Sequence, residues 1–356
     1  MRAEVVCMSV QIAPGDRFPV WAKALAGSAG LVGGIAIAAF LTIHATPVPI
    51  ARFIRALFKD PAYAKSSCGV VDDKGILIET NLVYPSRFPQ NTVDLYRPRF
   101  GMPRATVLWV HGGAFVGGDK GDVANFASAL AQQGYNVFVM NYALAPETTY
   151  PAPVMQVGEC IDFLLVHGDR YAIDFDTFCL AGDSSGAQIA GQYAAVEADA
   201  RLADQVGIER RLGEGGIRAM LLYCGPYDIA TLAEVEDPIA SFFFDQIGWA
   251  YTGRRDWRND AMLAQTSLAQ QVSGRFPPTY VTDGNTGSFE SQARILLAAL
   301  EAHGVPTESR FFDRGEQTVH HEYQFFLGED TALVALGDTL SFLDTWAVRR
   351  SGPSGE

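Results

Sequence analysis

Short apolar runs alternate with helix-patterned stretches between residues 76 and 312, and this rhythm constrains the fold more than any other feature of the chain. The runs are ATVLWV (105–110), NVFVMNY (136–142), TFCLAG (177–182), AMLLYCG (219–225), PTYVTDG (278–284) and ESRFF (308–312). Between them lie GDVANFASALAQQG (121–134), VMQVGECIDFLLVHG (154–168), SGAQIAGQYAAVEADARLA (185–203) and SQARILLAALEAHG (291–304), all with helical patterning. Two further strands, ILIETNLVY and TVDLYRP, precede this series. Strands that alternate with helices build a mostly parallel sheet covered on both faces. A globular α/β domain is therefore expected over residues 66–350. Residues 228–275 break the rhythm and are rich in aromatics (FFF, GWAYTG), as a helical lid inserted over a site would be.

One junction in this series carries chemistry. The strand TFCLAG runs directly into GDSSG (182–186), and a helix follows. A Gly-x-Ser-x-Gly turn between strand and helix lifts a serine hydroxyl above the sheet edge, here Ser184. The helix behind it aims its N–H groups and positive dipole end at that position. A serine nucleophile also needs oxyanion donors and a base. HGGAF (111–115) follows the strand ATVLWV, and its glycines let backbone N–H groups approach a substrate closely. Six histidines are present. His44 lies in an apolar segment, His111 in the glycine turn, and His167 and His303 near helix ends. His320 and His321 remain, on a loop after the last strand. The order serine before histidine suits this architecture. Neither histidine belongs to an HExxH metal motif.

These motifs together resemble the hormone-sensitive-lipase-like family of α/β-hydrolases. HGGAF is similar to that family's HGGG turn, YALAPETTYPAP (142–153) to its Y-x-L-A-P-E segment, GDSSGAQIA to its GDSAG elbow, and HEYQF (321–325) to its histidine loop. The resemblance covers residues 75–345. It implies an α/β-hydrolase fold and a carboxylic-ester hydrolase that uses neither metal nor organic cofactor. It also implies Ser184 as nucleophile, His321 rather than His320 as base, and oxyanion donors from Gly113, Ala114 and Ser185, with Gly112 shaping the turn. Ala114 stands where the family has glycine, which narrows the acyl side. In one respect the chain departs from the family. The catalytic aspartate would fall in GNTGSFESQ (284–292), where the matching position is Gly287. Glu290 is the first candidate carboxylate and Asp283 the second, and a site without a working acid stands level with Glu290. The corresponding functions are an esterase for short or medium acyl chains and, as the competing class, a degenerate hydrolase fold that binds a small ligand with little turnover.

Charge and composition narrow the partners. The net charge is −13, and nucleic-acid binding needs Lys/Arg patches that the chain does not display. Five scattered cysteines without a CxxC pair argue against a disulfide framework or a zinc site. The expected partner is a small-molecule ester or lipid, with the oligomeric state left open. Residues 1–65 form a separate N-terminal segment. From Ala24 to Ala51 there is no Asp, Glu, Lys or Arg, and about 20 apolar residues suffice to cross a bilayer. Residues 24–44 are thus expected to be a membrane anchor, with a cleaved signal peptide or a packed lid helix as alternatives. Arg52, Arg55 and Lys59 place the catalytic domain on the cytoplasmic side. The basic amphipathic stretch ARFIRALFKD that follows is read as an interfacial helix or part of a lid.

Overall fold

The computed structural model describes residues 41–58 and 75–348. The chain divides into two compact units, Met1–Thr46 and Pro47–Glu356. In the first, a helical turn at residues 41–45 is what is described, with Thr46 N–H donating to the Thr42 carbonyl. Residues 24–40, most of the segment expected to be an anchor, lie outside the described residues, as do Cys7 and Cys68. Among the described residues no helix is long and apolar enough to cross a membrane.

The second unit is built on one eight-stranded sheet in the order β1-β2-β4-β3-β5-β6-β7-β8. The strands are β1 (Ile76–Val83), β2 (Thr92–Pro98), β3 (Thr106–Val110), β4 (Asn136–Met140), β5 (Phe178–Asp183), β6 (Ala219–Tyr223), β7 (Thr279–Thr282) and β8 (Thr307–Arg310). β2 pairs antiparallel with β1 and with β4, and the pairs from β4 through β8 are parallel. Every residue of β3, β4, β5 and β6 is buried. Continuous apolar runs are what strands covered on both faces require.

Alternate side chains of the central strands feed two cores. Leu108 and Val110 point into one, Val107 and Trp109 into the other. Helices α3 (Ala152–Val166), α4 (Ser185–Ala198) and α6 (Glu290–Ala302) cover the first face, and α2 (Ala124–Gln132) and α7 (Asp330–Trp346) the second. α7 lies beyond the elements expected from the apolar runs, although Ala332, Ala335, Thr339, Phe342 and Leu343 form one buried helical face. The helix expected over 185–203 instead breaks at Asp199. Its extended backbone (φ −133°, ψ 111°) ends α4, and its carboxylate caps a second helix, Ala200–Val206.

The basic amphipathic stretch forms helix α1 (Val48–Phe58) within the second unit, so the contact boundary falls at 46/47 rather than 65/66. Arg55 explains the placement. Its guanidinium donates to the Val116 and Ala145 carbonyls and pairs with Glu147 at 2.7 Å. Residues 228–275 join β6 to β7 and hold α5 (Pro238–Thr252), whose Phe243 stacks on Phe53 of α1 at 6.1 Å.

Candidate active site

β5 ends at Asp183, and α4 begins at Ser185. Ser184 between them has φ 49° and ψ −124°, a conformation that L-residues rarely adopt. Such strain persists only where the surroundings over-determine it. Here Ser184 N–H donates to the Tyr223 carbonyl at 2.8 Å. The close approach of the turn to β3 explains Gly186, since a Cβ there would sit 2.1 Å from the Val110 carbonyl oxygen. The Ser184 side chain is directed into a cavity at the sheet's C-terminal edge.

His321 reaches the same point from the loop between β8 and α7. Its Nε2 lies 3.0 Å from Ser184 Oγ, and its Nδ1 lies 2.7 Å from Ser288 Oγ. Ser288 Oγ in turn donates to Asp283 Oδ1 in a short hydrogen bond. The edge of the Phe289 ring packs against the imidazole. Burial pushes the His321 pKa down to about 4, which keeps the ring neutral and able to accept a proton at neutral pH. His320 is exposed.

The acid position differs from the expectation that put Glu290 first. Glu290 accepts from Arg294 Nε and pairs with that guanidinium at 2.7 Å, one helical turn along α6. The i,i+4 spacing explains why it turns away from His321. Asp283, at the end of β7, is fully buried and joins His321 through Ser288. Burial raises its carboxyl to about 7, against the lowering effect of the Ser288 hydrogen bond. Gly287 adopts φ +61° and lines the cavity, with no heavy atom within 4 Å of where its Cβ would be.

The glycine turn is held from below by a pair of acids, Asp183 buried and Glu322 half-buried at the cavity. Asp183 accepts from Trp109 Nε1 at 2.6 Å and from Gly112 N–H at 2.8 Å, and it is hydrogen-bonded to Glu322. A Cβ on Gly112 would lie 2.4 Å from Asp183 Oδ2 and 2.5 Å from Glu322 Oε1, so only glycine fits. Two carboxyls in contact inside the protein share a proton, because burial and mutual repulsion oppose joint ionisation. Both are pushed up by burial first, Asp183 to about 6 and Glu322 well above its ordinary range. The Gly112 N–H is thereby used. The N–H groups of Gly113, Ala114 and Ser185 meet no acceptor among the described residues. Tyr142 steadies the turn, donating to the His111 carbonyl at 3.1 Å and stacking on the His111 ring.

An apolar cavity of about 180 Å³ opens above Ser184. Phe58 of α1, Ala114 and Phe115 of the glycine turn, Leu232 and Phe244 of the insertion, and Phe289 form its walls. Ser184, Ser185, His321 and Glu322 lie at its polar end. The site thus assembles every residue singled out in the sequence except Glu290. Three of its contributors were missed: Ser288, Asp183 and Glu322. Asp183 and Glu322 sit inside the quoted motifs, next to Ser184 and His321, but nothing in their spacing announces that they meet. Ser288 follows the vacant Gly287, and its hydroxyl is one of several polar side chains in GNTGSFESQ, with nothing in the spacing to single it out.

The profile of a family described as an alpha/beta hydrolase fold matches residues 107–323. The acetyl esterase of Salmonella paratyphi B is 24% identical over 240 residues, 65% of this chain and 69% of that protein. The Salmonella dublin acetyl esterase is 25% identical over 247 residues, 64% of this chain and 69% of its own length. Among solved structures, esterase B from Lactobacillus rhamnosis has a TM-score of 0.71 at 22% identity, covering 84% of this chain and 95% of that one. The Pyrobaculum calidifontis esterase has a TM-score of 0.65 at 19% identity, covering 84% and 94%. At these identities the structural likeness concerns the fold alone.

Proposed function

The chain belongs to the alpha/beta hydrolase family, and from that premise we propose that it is a serine carboxylesterase acting on short or medium acyl esters through an acyl-enzyme. The observation that carries the reading is the 3.0 Å contact between Ser184 Oγ, on its strained turn, and His321 Nε2. A neutral imidazole at that distance takes the hydroxyl proton as the oxygen attacks the ester carbonyl. The tetrahedral oxyanion accepts hydrogen bonds from the Gly113, Ala114 and Ser185 N–H groups; Ala114 and Ser185 line the cavity, and Ser185 opens α4 at its positive end. His321 then returns the proton to the leaving alcohol. Water, activated by the same imidazole, cleaves the acyl-enzyme and restores Ser184.

The cavity supports the chain-length part of the reading. An engineered apolar cavity of about 150 Å³ holds one benzene, so 180 Å³ accommodates a short chain or a single small ring. The relatives named acetyl esterases agree with that size. A ligand-binding protein without turnover is less well supported, because both nitrogens of His321 already have hydroxyl partners. Anchorage through residues 24–44 is retained in the proposal on the strength of their charge-free length.

A fluorophosphonate probe tests the core of this reading. It labels Ser184 in the wild-type protein, and Ser184→Ala abolishes both labelling and hydrolysis of p-nitrophenyl acetate. Unchanged hydrolysis by the variant would overturn it.

A further inference from the structure

We propose that Ser288 is a relay that couples the Asp283 carboxylate to His321, taking over the task of the aspartate missing at Gly287. The inference rests on the serine-esterase reading and deepens it by naming how the base is held.

Three observations point the same way. First, the position matching the family's aspartate is a glycine with empty space where a side chain would begin. Second, the ring nitrogen of His321 that faces away from Ser184 is occupied by a hydroxyl at 2.7 Å. Third, that hydroxyl donates onward to a carboxylate at the end of β7, the strand that precedes the usual acid position. Asp283 is also costly to bury. It is fully buried, with the Ser288 hydroxyl, the Cys224 thiol and the Gly284 backbone as the groups that favour its charge, and a buried carboxyl is costly to ionise even so.

The donors and acceptors order themselves in one direction. His321 Nδ1–H donates to Ser288 Oγ, and Ser288 Oγ–H donates to Asp283 Oδ1. That fixes the tautomer in which Nε2 is free to accept from Ser184. When the Ser184 proton moves to Nε2, the positive charge on the ring is met by the Ser288 dipole, itself polarised by the carboxylate. No proton needs to pass along the relay, and no group besides Ser184 and His321 changes its bonds. Ser288 and Asp283 are therefore positioning residues.

A direct triad carboxylate is worth about 10⁴ in rate. A carboxylate acting through one hydroxyl is worth less, and a loss of about ten- to a hundredfold in kcat is expected for Ser288→Ala and for Asp283→Asn, with KM little changed. Because both act as one unit, the double variant loses no more than either single variant. Ser288→Thr keeps the hydroxyl and retains most of the activity, which separates loss of the relay from loss of folding. The pH profile supplies a readout that a merely structural role would not move. Asp283 is faced by the Cys224 thiol, the Tyr227 and Tyr323 phenols, the Glu290 carboxylate and the His321 ring. Wild-type kcat/KM rises with pH as Asp283 ionises near 7. In Asp283→Asn and Ser288→Ala that limb moves toward acid, leaving the ring's own titration.

The experiment measures kcat, KM and pH profiles of the four variants on p-nitrophenyl acetate, with fluorophosphonate labelling of Ser184 alongside. Additive losses, or wild-type kcat and an unmoved limb in Ser288→Ala, would overturn the relay while leaving the esterase reading intact. Absence of labelling and turnover in the wild-type protein would instead strike the esterase reading itself.

Discussion

Glu322→Gln isolates the acid pair beneath the glycine turn. In the folded protein Glu322 keeps a proton because burial and the neighbouring Asp183 oppose its charge. In the unfolded chain the same carboxyl ionises near its ordinary value of 4.5. A pKa raised by folding contributes stability that is fully present below the unfolded value and is lost as pH rises toward the folded one. One proton more in the folded state than in the unfolded state gives a slope of about −1.4 kcal/mol per pH unit. As pH rises through the range above about 5 the wild-type protein therefore gives up stability through this residue at that slope for as long as Glu322 keeps its proton. Glutamine cannot ionise, and its amide can donate to Asp183 in place of the carboxyl proton, so the variant lacks the Glu322 share of the slope and keeps only that of Asp183, whose carboxyl burial still raises. Asp283, raised in the same sense, and His321, lowered by burial, act in both proteins and cancel in the difference. Urea unfolding followed by tryptophan fluorescence across that range measures it. Stabilities of the two proteins that run parallel with pH would refute the shared proton, and with it the account of how Gly112 is held.

Further outcomes follow from the same geometry. His321→Ala lowers kcat/KM on p-nitrophenyl acetate by at least about a thousandfold, whereas His320→Ala, an exposed side chain, changes it little; steady-state kinetics ranks the two. Phe244→Ala enlarges the cavity on its insertion side and shifts the preference among p-nitrophenyl esters from acetate toward hexanoate, read as a ratio of kcat/KM values. Gly186→Ala brings a methyl against the Val110 carbonyl and costs more than the roughly 1–3 kcal/mol typical of overpacking, visible as a lowered urea midpoint. The proposed anchorage rests on sequence alone: on that reading the 356-residue chain sediments with membranes and resists carbonate extraction, whereas a chain that begins at Pro47 stays in the supernatant, and sedimentation of both would move the attachment out of residues 24–44.

Much of this protein was legible from sequence because its signals are local. The apolar runs of β3 to β7 are continuous since both faces of those strands are covered. GDSSG and HGGAF are short motifs whose geometry is set by glycines within a few residues of Ser184 and Ala114. That Ser184 and His321 come from the ends of distant segments could be anticipated from the order of the motifs. The identity of the group behind His321 could not. Glu290 and Asp283 are each near Gly287 in sequence, but the helical phase of α6 commits Glu290 to Arg294, and the end of β7 aims Asp283 at Ser288. Such directions depend on where a strand stops and a helix starts, and a shift of one residue reverses them. The same holds for Asp183 and Glu322. Each is adjacent to a recognisable residue, yet their contact exists only because β5 and the histidine loop converge under Gly112. Sequence alone determined the sheet, the turn that carries Ser184 and the adjacency of His321 to a histidine-loop motif, which the structure brings to Ser184 Oγ. Tertiary structure decided which carboxylates face which partners, because burial and side-chain direction are set by the packing of segments far apart in the chain.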